Sequence, residues 1–362
     1  MRKARGFLVW YLVATPLLLY TGFAGHSLAG SPPKWDWRDS EAPTDAVVIL
    51  HHGKTVFEWS KNPGTLYLNQ KHPLWSISKS FISLVFGAAE RKGFIKRNEF
   101  VCLRTPELCT KAMHDVKFQH LLQMTTGLRM REVYETNPVF SDALSMLYGG
   151  RKEGMGFFAA SFRRRRPPGE NWEYSSGTTN ILATALAITI QKEAHEDFHT
   201  FFKNEILKRA GISDFTWETD LKGYPVGSSY LFMSPRDLAR AGQWILESQK
   251  TGHAPNGLPD DWWDFSLTLP SAVRERPPSR SEGEPFPGAH WWLNVPDPEG
   301  DGRPLPDVPR DAFAALGHWG QSLWIIPSKD LVVARVAQDR KGRIDRNRFL
   351  RTILAWLREN QI

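Results

Sequence analysis

The 362-residue chain is 41% hydrophobic and 23% charged, a balance that lets it bury a large core and excludes a disordered or fibrous protein. Its net charge of +7 is modest, and Arg2, Lys3 and Arg5 at the N-terminus supply three of those charges. The densest basic run, Arg163 to Arg166, lacks interleaved aromatics or glycines. It reads as a solvated helix end, and no nucleic-acid partner is expected.

The basic start is followed by Phe7 to Gly25 without a charge, and Ser27-Leu28-Ala29 offers small residues where a signal peptidase reads. Residues 1–29 are therefore expected to be a signal peptide or an N-terminal membrane anchor. Residues 30–362 would then be exported, periplasmic and either soluble or tethered to the inner membrane. Ala46–His52 and Thr55–Trp59 predict a hairpin turned at Gly53-Lys54. A helix is predicted from Ser76 to Lys92, with Gly93 as its stop. Cys102 and Cys109 stand close together, placed either to close a short disulfide in an oxidising compartment or to remain two buried thiols.

A helical region is expected over about residues 100–280, including Asn180–Lys192, Phe198–Ala210 and Pro235–Glu247. Residues 251–310 are crowded with Pro, Gly and Asp and read as long loops. Their Trp262, Trp263, Trp291 and Trp292 are expected to help wall a cleft. Strand character returns at Ala312–Trp319, Gln321–Ile326 and Leu331–Ala337. The last helix, Arg346–Glu359, carries Phe349, Ile353, Trp356 and Leu357 as one apolar stripe. Strands at both chain ends around a helical middle predict an α/β domain, one mixed sheet closed by the two ends and carrying an all-helical insertion.

Three segments carry chemistry. Ser76-Ile77-Ser78-Lys79 sets a serine and a lysine three apart, on one helix face. Serine is a poor nucleophile until a neighbour takes its proton. Lysine does so only when burial or a nearby cation lowers its pKa. The surrounding LWSISKSFISLVFGAA is otherwise apolar or small, so a lysine there needs a reason. Tyr174-Ser175-Ser176-Gly177 follows a Pro167-Pro168-Gly169 turn and precedes a helix, where a tyrosine hydroxyl can enter a cleft as general acid or base. Gly317-His318-Trp319-Gly320-Gln321 lies among the C-terminal strands, where glycines allow an N–H to face a substrate carbonyl.

The order Ser-x-x-Lys, Tyr-x-Ser, His-x-Gly resembles the serine β-lactamase and penicillin-binding-protein superfamily. Within it, the tyrosine variant resembles class C β-lactamases, family VIII carboxylesterases and 6-aminohexanoate-dimer hydrolases. The likeness spans about residues 40–360, and PPGENWEYSSGTTNILA, SPRDLARAGQWIL and LGHWGQSLWIIPSKDLVVARV look closest to the last group. The resemblance implies Ser76 as the acylated nucleophile, with Lys79 lowering its proton cost. It implies Tyr174 as the group that deprotonates Ser76, protonates the leaving group and activates water. It further implies an oxyanion hole of the Ser76 and Gln321 backbone N–H groups. Ser176, His318, Trp319 and Gly320 would meet substrate, and no cofactor is needed.

Departures from the family pattern matter. Many relatives carry Lys-Thr-Gly or Lys-Ser-Gly where this chain has His318-Trp319-Gly320, and Trp319 offers a β-lactam carboxylate neither charge nor hydroxyl. Tyr-x-Asn is replaced by Tyr-x-Ser. The expectation is hydrolysis of a small-molecule ester or linear amide rather than of β-lactams.

Two alternatives stand beside this reading. His195-Glu196-Asp197-Phe198-His199 matches a His-Glu-x-x-His zinc motif, in which the two histidines would bind metal and Glu196 act as base. A charge inside the motif and no obvious third ligand argue against it. The other is a non-catalytic, penicillin-binding-like sensor, against which an intact Ser76, Lys79 and Tyr174 argue. Tyr67-Leu68-Asn69 and His51-His52-Gly53 also match segments, but both precede Ser76 in the chain.

Overall fold

A computed structural model describes residues 25–27, 31–37, 39, 41–62, 66–134, 138–251, 257–300 and 302–362. Eleven strands are present among them: β1 (Gly25–Ser27), β2 (Thr44–His51), β3 (Lys54–Ser60), β4 (His72–Pro73), β5 (Thr216–Trp217) and β6 (Leu231–Met233). The C-terminal half adds β7 (Phe286–Pro287), β8 (Trp292–Leu293), β9 (Phe313–Gly317), β10 (Gln321–Ile326) and β11 (Leu331–Ala337). Six helices frame the site: α1 (Ile77–Arg91), α2 (Asp142–Tyr148), α3 (Met155–Ala160), α4 (Ser176–Ala194), α5 (Pro235–Thr251) and α6 (Arg346–Glu359).

The main sheet has the order β1-β3-β2-β11-β10-β9-β8-β7, and a small sheet runs β4-β6-β5. β2 pairs with β11, Val47 opposite Arg335 and Ile49 opposite Val333, so the two ends of the chain close one sheet as expected. Every pairing in it is antiparallel, so within the expected α/β fold the sheet is not mixed in strand direction.

Both faces of the sheet are covered, which is why β2 and β11 read as continuous apolar runs. Alternation sends Ala46, Val48, Val332 and Ala334 into the core shared with the helical region, and Val47, Ile49 and Val333 into the core under α6. α6 presents the predicted stripe of Phe349, Ile353, Trp356 and Leu357, all buried. α1 is buried from Ile77 through Ala89, the pattern of a helix enclosed on all sides.

Several sequence expectations shift. Residues 198–210 do not form one helix: Phe198–Phe202 is α-helical and Lys203–Leu207 is wound as a π-helix. β9 stops at Gly317, and His318–Gly320 forms a 3-10 turn. Trp262 and Trp263 are core residues, the latter donating its indole N–H to Ser248 Oγ at 3.0 Å. Arg163–Arg166 is not a helix end: Arg164 forms an isolated antiparallel bridge with Leu128, and Arg165 and Arg166 lie in a bend.

Cys102 and Cys109 form a disulfide. The leader or anchor expected over residues 1–29 lies outside the described residues except for Gly25–Ser27, which form β1. Among the described residues no helix is long and apolar enough to cross a membrane.

Candidate active site

Ser76 stands at the entrance of α1, in a turn held from several sides. Trp75 before it adopts a left-handed conformation, φ 48°, rare for a bulky residue, and its ring is packed against Trp319 and His318 at 5.4 and 6.0 Å. The Ser78 hydroxyl donates to the Trp75 carbonyl and accepts from the Leu231 N–H, fastening this turn to the small sheet. Gly317 closes the other side: a Cβ there would lie 2.3 Å from the Leu74 carbonyl oxygen. Only glycine lets the end of β9 approach the serine turn this closely.

Lys79 comes one turn after Ser76, and its Nζ donates to Ser76 Oγ at 2.9 Å and to the Ser228 carbonyl at 2.8 Å. That carbonyl is aimed by Asn180 on α4, whose Oδ1 accepts from the Ser228 N–H. The Lys79 side chain is enclosed, and burial pulls its pKa down to about 8, with the Glu132 carboxylate working in the opposite sense. The Nζ also lies 5.0 Å from the centroid of the Tyr174 ring. Behind it sits His290, bonded to the Leu122 carbonyl and to Thr179 Oγ1 and lowered by burial to about 4, so it is neutral.

Tyr174 immediately precedes the Ser175 cap of α4, which accepts from the Thr178 N–H at 3.1 Å. Its ring stacks on Trp292 at 6.1 Å, and its hydroxyl lies beside Ser76. Burial first, and then Glu132, raise its pKa well above that of free tyrosine, while the Ser76 contact works the other way. The hydroxyl therefore holds its proton at neutral pH.

Ser76 and Tyr174 open into a cavity of about 410 Å³ whose walls include Tyr134, Leu147, Trp292, His318 and Trp319. His318 and Trp319 thus face the cavity as expected. Gly320 and the Gln321 side chain do not line it. The Gly320 carbonyl accepts from the buried Arg335 at 2.7 Å, and a Cβ on Gly320 would meet that guanidinium at 2.5 Å. Gln321 pairs in both directions with the Ala337 backbone, so any contact it makes with substrate is through its own N–H. Trp291 and Trp292 border a smaller hollow that also reaches Ser76 and Lys79.

Ser176 is a correction. Its side chain is fully buried and does not line the cavity. Its N–H and hydroxyl both donate to the Glu132 carboxylate, at 2.9 and 2.5 Å, and Tyr134 donates to the same carboxylate. Sequence reading missed Glu132 and Tyr134, and also Asn180 and Ser228, because none belongs to a short motif. For Glu132 and Tyr134 the adjacent charge and aromatic in Arg131-Glu132-Val133-Tyr134 are the only local signal, and Asn180 and Ser228 carry none.

The family model described as Beta-lactamase matches residues 35–355. The chain belongs to the beta-lactamase family. A 6-aminohexanoate-dimer hydrolase from Paenarthrobacter ureafaciens is 24% identical over 322 residues, which are 86% of this chain and 76% of that protein. Among solved structures, a Bacillus anthracis protein described as a 6-aminohexanoate-dimer hydrolase superposes with a TM-score of 0.63 at 19% identity. That match covers 88% of this chain and 79% of the other. A class C beta lactamase from Rhodobacter sphaeroides gives a TM-score of 0.58 at 16% identity, over 90% and 97% of the two chains.

Within this beta-lactamase-family chain the rival motifs fall elsewhere. His195 caps the end of α4 in a left-handed conformation, and Asp197 caps the next helix by accepting from the His199 and Thr200 N–H groups. A helix break thus divides the His-Glu-x-x-His match, so its histidines do not share a helix face. The Nε2 of His199 is engaged by the Trp217 carbonyl at 2.7 Å, and Glu196 accepts from Asn204. Among the described residues no group of three or more metal-ligating side chains converges. His52 lies in the β2–β3 turn against Asp330, and the Tyr67 ring packs against His72.

Proposed function

We propose that the chain is a serine hydrolase that cleaves ester or linear amide bonds of small molecules through an acyl-enzyme on Ser76. One observation carries this reading: a fully enclosed lysine amine, lowered to about 8, lies 2.9 Å from the hydroxyl of a serine that opens into a cavity. A lysine so placed takes a proton near neutral pH, which is what serine needs to attack a carbonyl.

The proton inventory revises one expected role. Tyr174 keeps its proton in the free enzyme, so Lys79 in its neutral form is the better first acceptor from Ser76. Ser76 Oγ then bonds to the carbonyl carbon, and its proton passes to Lys79 Nζ. The tetrahedral oxyanion meets the Ser76 and Gln321 N–H groups. Collapse breaks the ester or amide bond, and the Tyr174 hydroxyl gives its proton to the leaving oxygen or nitrogen while Lys79 returns one to Tyr174. Water then attacks the acyl carbon with the same groups acting in reverse, which regenerates Ser76.

The third segment supports esters and linear amides over β-lactams. Where many relatives place a lysine and a hydroxyl, this chain has His318 and Trp319 facing the cavity. One relative bears the name of a hydrolase of the 6-aminohexanoate dimer, which agrees with this lean. Export is part of the proposal and is supported by the Cys102–Cys109 disulfide, a bond typical of oxidising compartments.

The test is hydrolysis of a short-chain p-nitrophenyl ester by the wild type and by Ser76→Ala, each with and without a zinc chelator. Activity that disappears with Ser76 and ignores the chelator is expected. Near-normal turnover by Ser76→Ala would refute the mechanism.

A further inference from the structure

The arginine run that the catalytic reading leaves unused takes on a definite shape in the fold. Residues 127–129 and 163–165 lie side by side as two antiparallel strips: the Arg129 N–H donates to the Arg163 carbonyl, and the Arg165 N–H to the Gly127 carbonyl, both at 2.8 Å. Leu128 and Met130 point inward and are buried, so the alternation of an extended chain turns Arg129 and Arg131 outward. On the neighbouring strip Arg163 and Arg165 face the same way, followed by exposed Arg166.

Few acids answer these charges. Arg131 is paired with Asp142, and Arg164, on the opposite face of its strip, with Asp115. Glu173 acts on Arg165 through space, and Asp142 on Arg129. Among the described residues no carboxylate lies within ion-pair distance of Arg129, Arg163, Arg165 or Arg166.

The same surface carries apolar groups that a soluble face would hide. Val139 is 86% and Phe140 58% exposed, and the Arg131 guanidinium sits 6.0 Å from the Phe140 ring. The strip bearing Arg129 and Arg131 runs on to Tyr134, and the turn bearing Phe140 runs on to α2. Tyr134 and the α2 residues Leu144, Leu147 and Tyr148 all line the cavity that contains Ser76. Basic strip, apolar turn and cavity mouth are therefore continuous.

We propose that this face is a docking surface for an anionic phospholipid membrane, which sets the mouth of the Ser76 cavity against the lipid surface. Clustered arginines are drawn to anionic headgroups, and apolar side chains flanked by such charges sink into the headgroup–acyl boundary. A purely electrostatic partner, such as a soluble polyanion, needs the arginines but gives Val139 and Phe140 nothing to do. The inference is independent of the chemistry proposed at Ser76.

The experiment is co-sedimentation of the full chain with vesicles of phosphatidylcholine alone or with 30–40% phosphatidylglycerol (roughly the anionic content that gives a strong surface potential). Three proteins are compared: wild type, Arg129→Gln/Arg163→Gln/Arg165→Gln, and Val139→Ser/Phe140→Ser. All share the same N-terminus, so any binding through the apolar stretch Phe7–Gly25 is common to them. Wild type is expected to bind the anionic vesicles preferentially and to be released by salt. The triple variant is expected to lose about fivefold per arginine, roughly a hundredfold in all. The double serine variant is expected to lose the part of the binding that salt does not remove.

Equal binding of wild type to both vesicle types would overturn the proposal, and so would undiminished binding by the triple variant. Dextran sulfate bound as tightly as the anionic vesicles, with no effect of Val139→Ser/Phe140→Ser, would replace the lipid by a soluble polyanion and also overturn it. The wild-type salt dependence needs no variant to fold, and unchanged melting temperatures show that the variants do. None of these readouts depends on hydrolytic activity.

Discussion

Enclosure acts on the protons of Lys79 and Tyr174 in opposite directions, loosening the first and tightening the second. Burial disfavours the ammonium of Lys79 and the phenolate of Tyr174, so the pair rests closer to neutral amine and neutral phenol than either would in water. The pH dependence follows. In the proposed mechanism Lys79 acts only after losing its proton, so kcat/KM is expected to rise with pH through about 8, with a slope of one proton. Glu132 opposes the lowering of Lys79, so Glu132→Gln is expected to move that limb toward acid; an unmoved limb would assign Glu132 a purely structural role. Tyr174→Phe keeps the ring on Trp292 but removes the proton donor, and a loss of about 10²–10⁴-fold in kcat is expected in steady-state kinetics.

The elements around these groups act as a clamp. α1 enters from a turn fixed by the small sheet, and β9 and β10 bring the His318 turn against it through Gly317. Gly317→Ala sets a methyl group against the Leu74 carbonyl, and overpacking of this kind costs about 1–3 kcal/mol. The expected result is a lower midpoint in denaturant together with a drop in kcat, since relief requires the two catalytic segments to part. The Cys102–Cys109 bond closes a short loop and borders neither hollow beside Ser76. Its replacement by two serines is expected to lower unfolding free energy by about 2–3 kcal/mol and leave kcat unchanged, as read by urea titration and ester turnover.

Taken together, the chain places its site where its two ends meet. β2 and β3 come from the start, β9 to β11 and α6 from the end, and the helical insertion supplies α4 and Tyr174. α6 covers one whole face of the sheet with Phe349, Leu350, Ile353, Trp356 and Leu357. A chain ending before Arg346 would expose that face, so it is expected to be insoluble or readily proteolysed rather than a weaker enzyme. Limited proteolysis against the full chain checks this.

What could be read along the chain was whatever depends on neighbours in sequence. The i, i+3 spacing of Ser76 and Lys79 needs only a helix, the stripe of α6 only its period, and β10, β11 and α6 have the predicted limits. The hairpin, the closure of the sheet by both ends and the cavity-facing His318 and Trp319 were also legible. What stayed hidden depends on approach through space. Glu132 binds the Ser176 N–H and hydroxyl from 44 residues away, and Ser228 receives the Lys79 amine across 149. Neither separation leaves a local pattern. For the same reason the zinc-like motif looked whole in one dimension, while the fold ends one helix at His195 and starts another after Asp197. The sequence alone determined which groups are candidates for the chemistry and in what order they stand; tertiary packing decided which are enclosed, and enclosure sets where their protons rest.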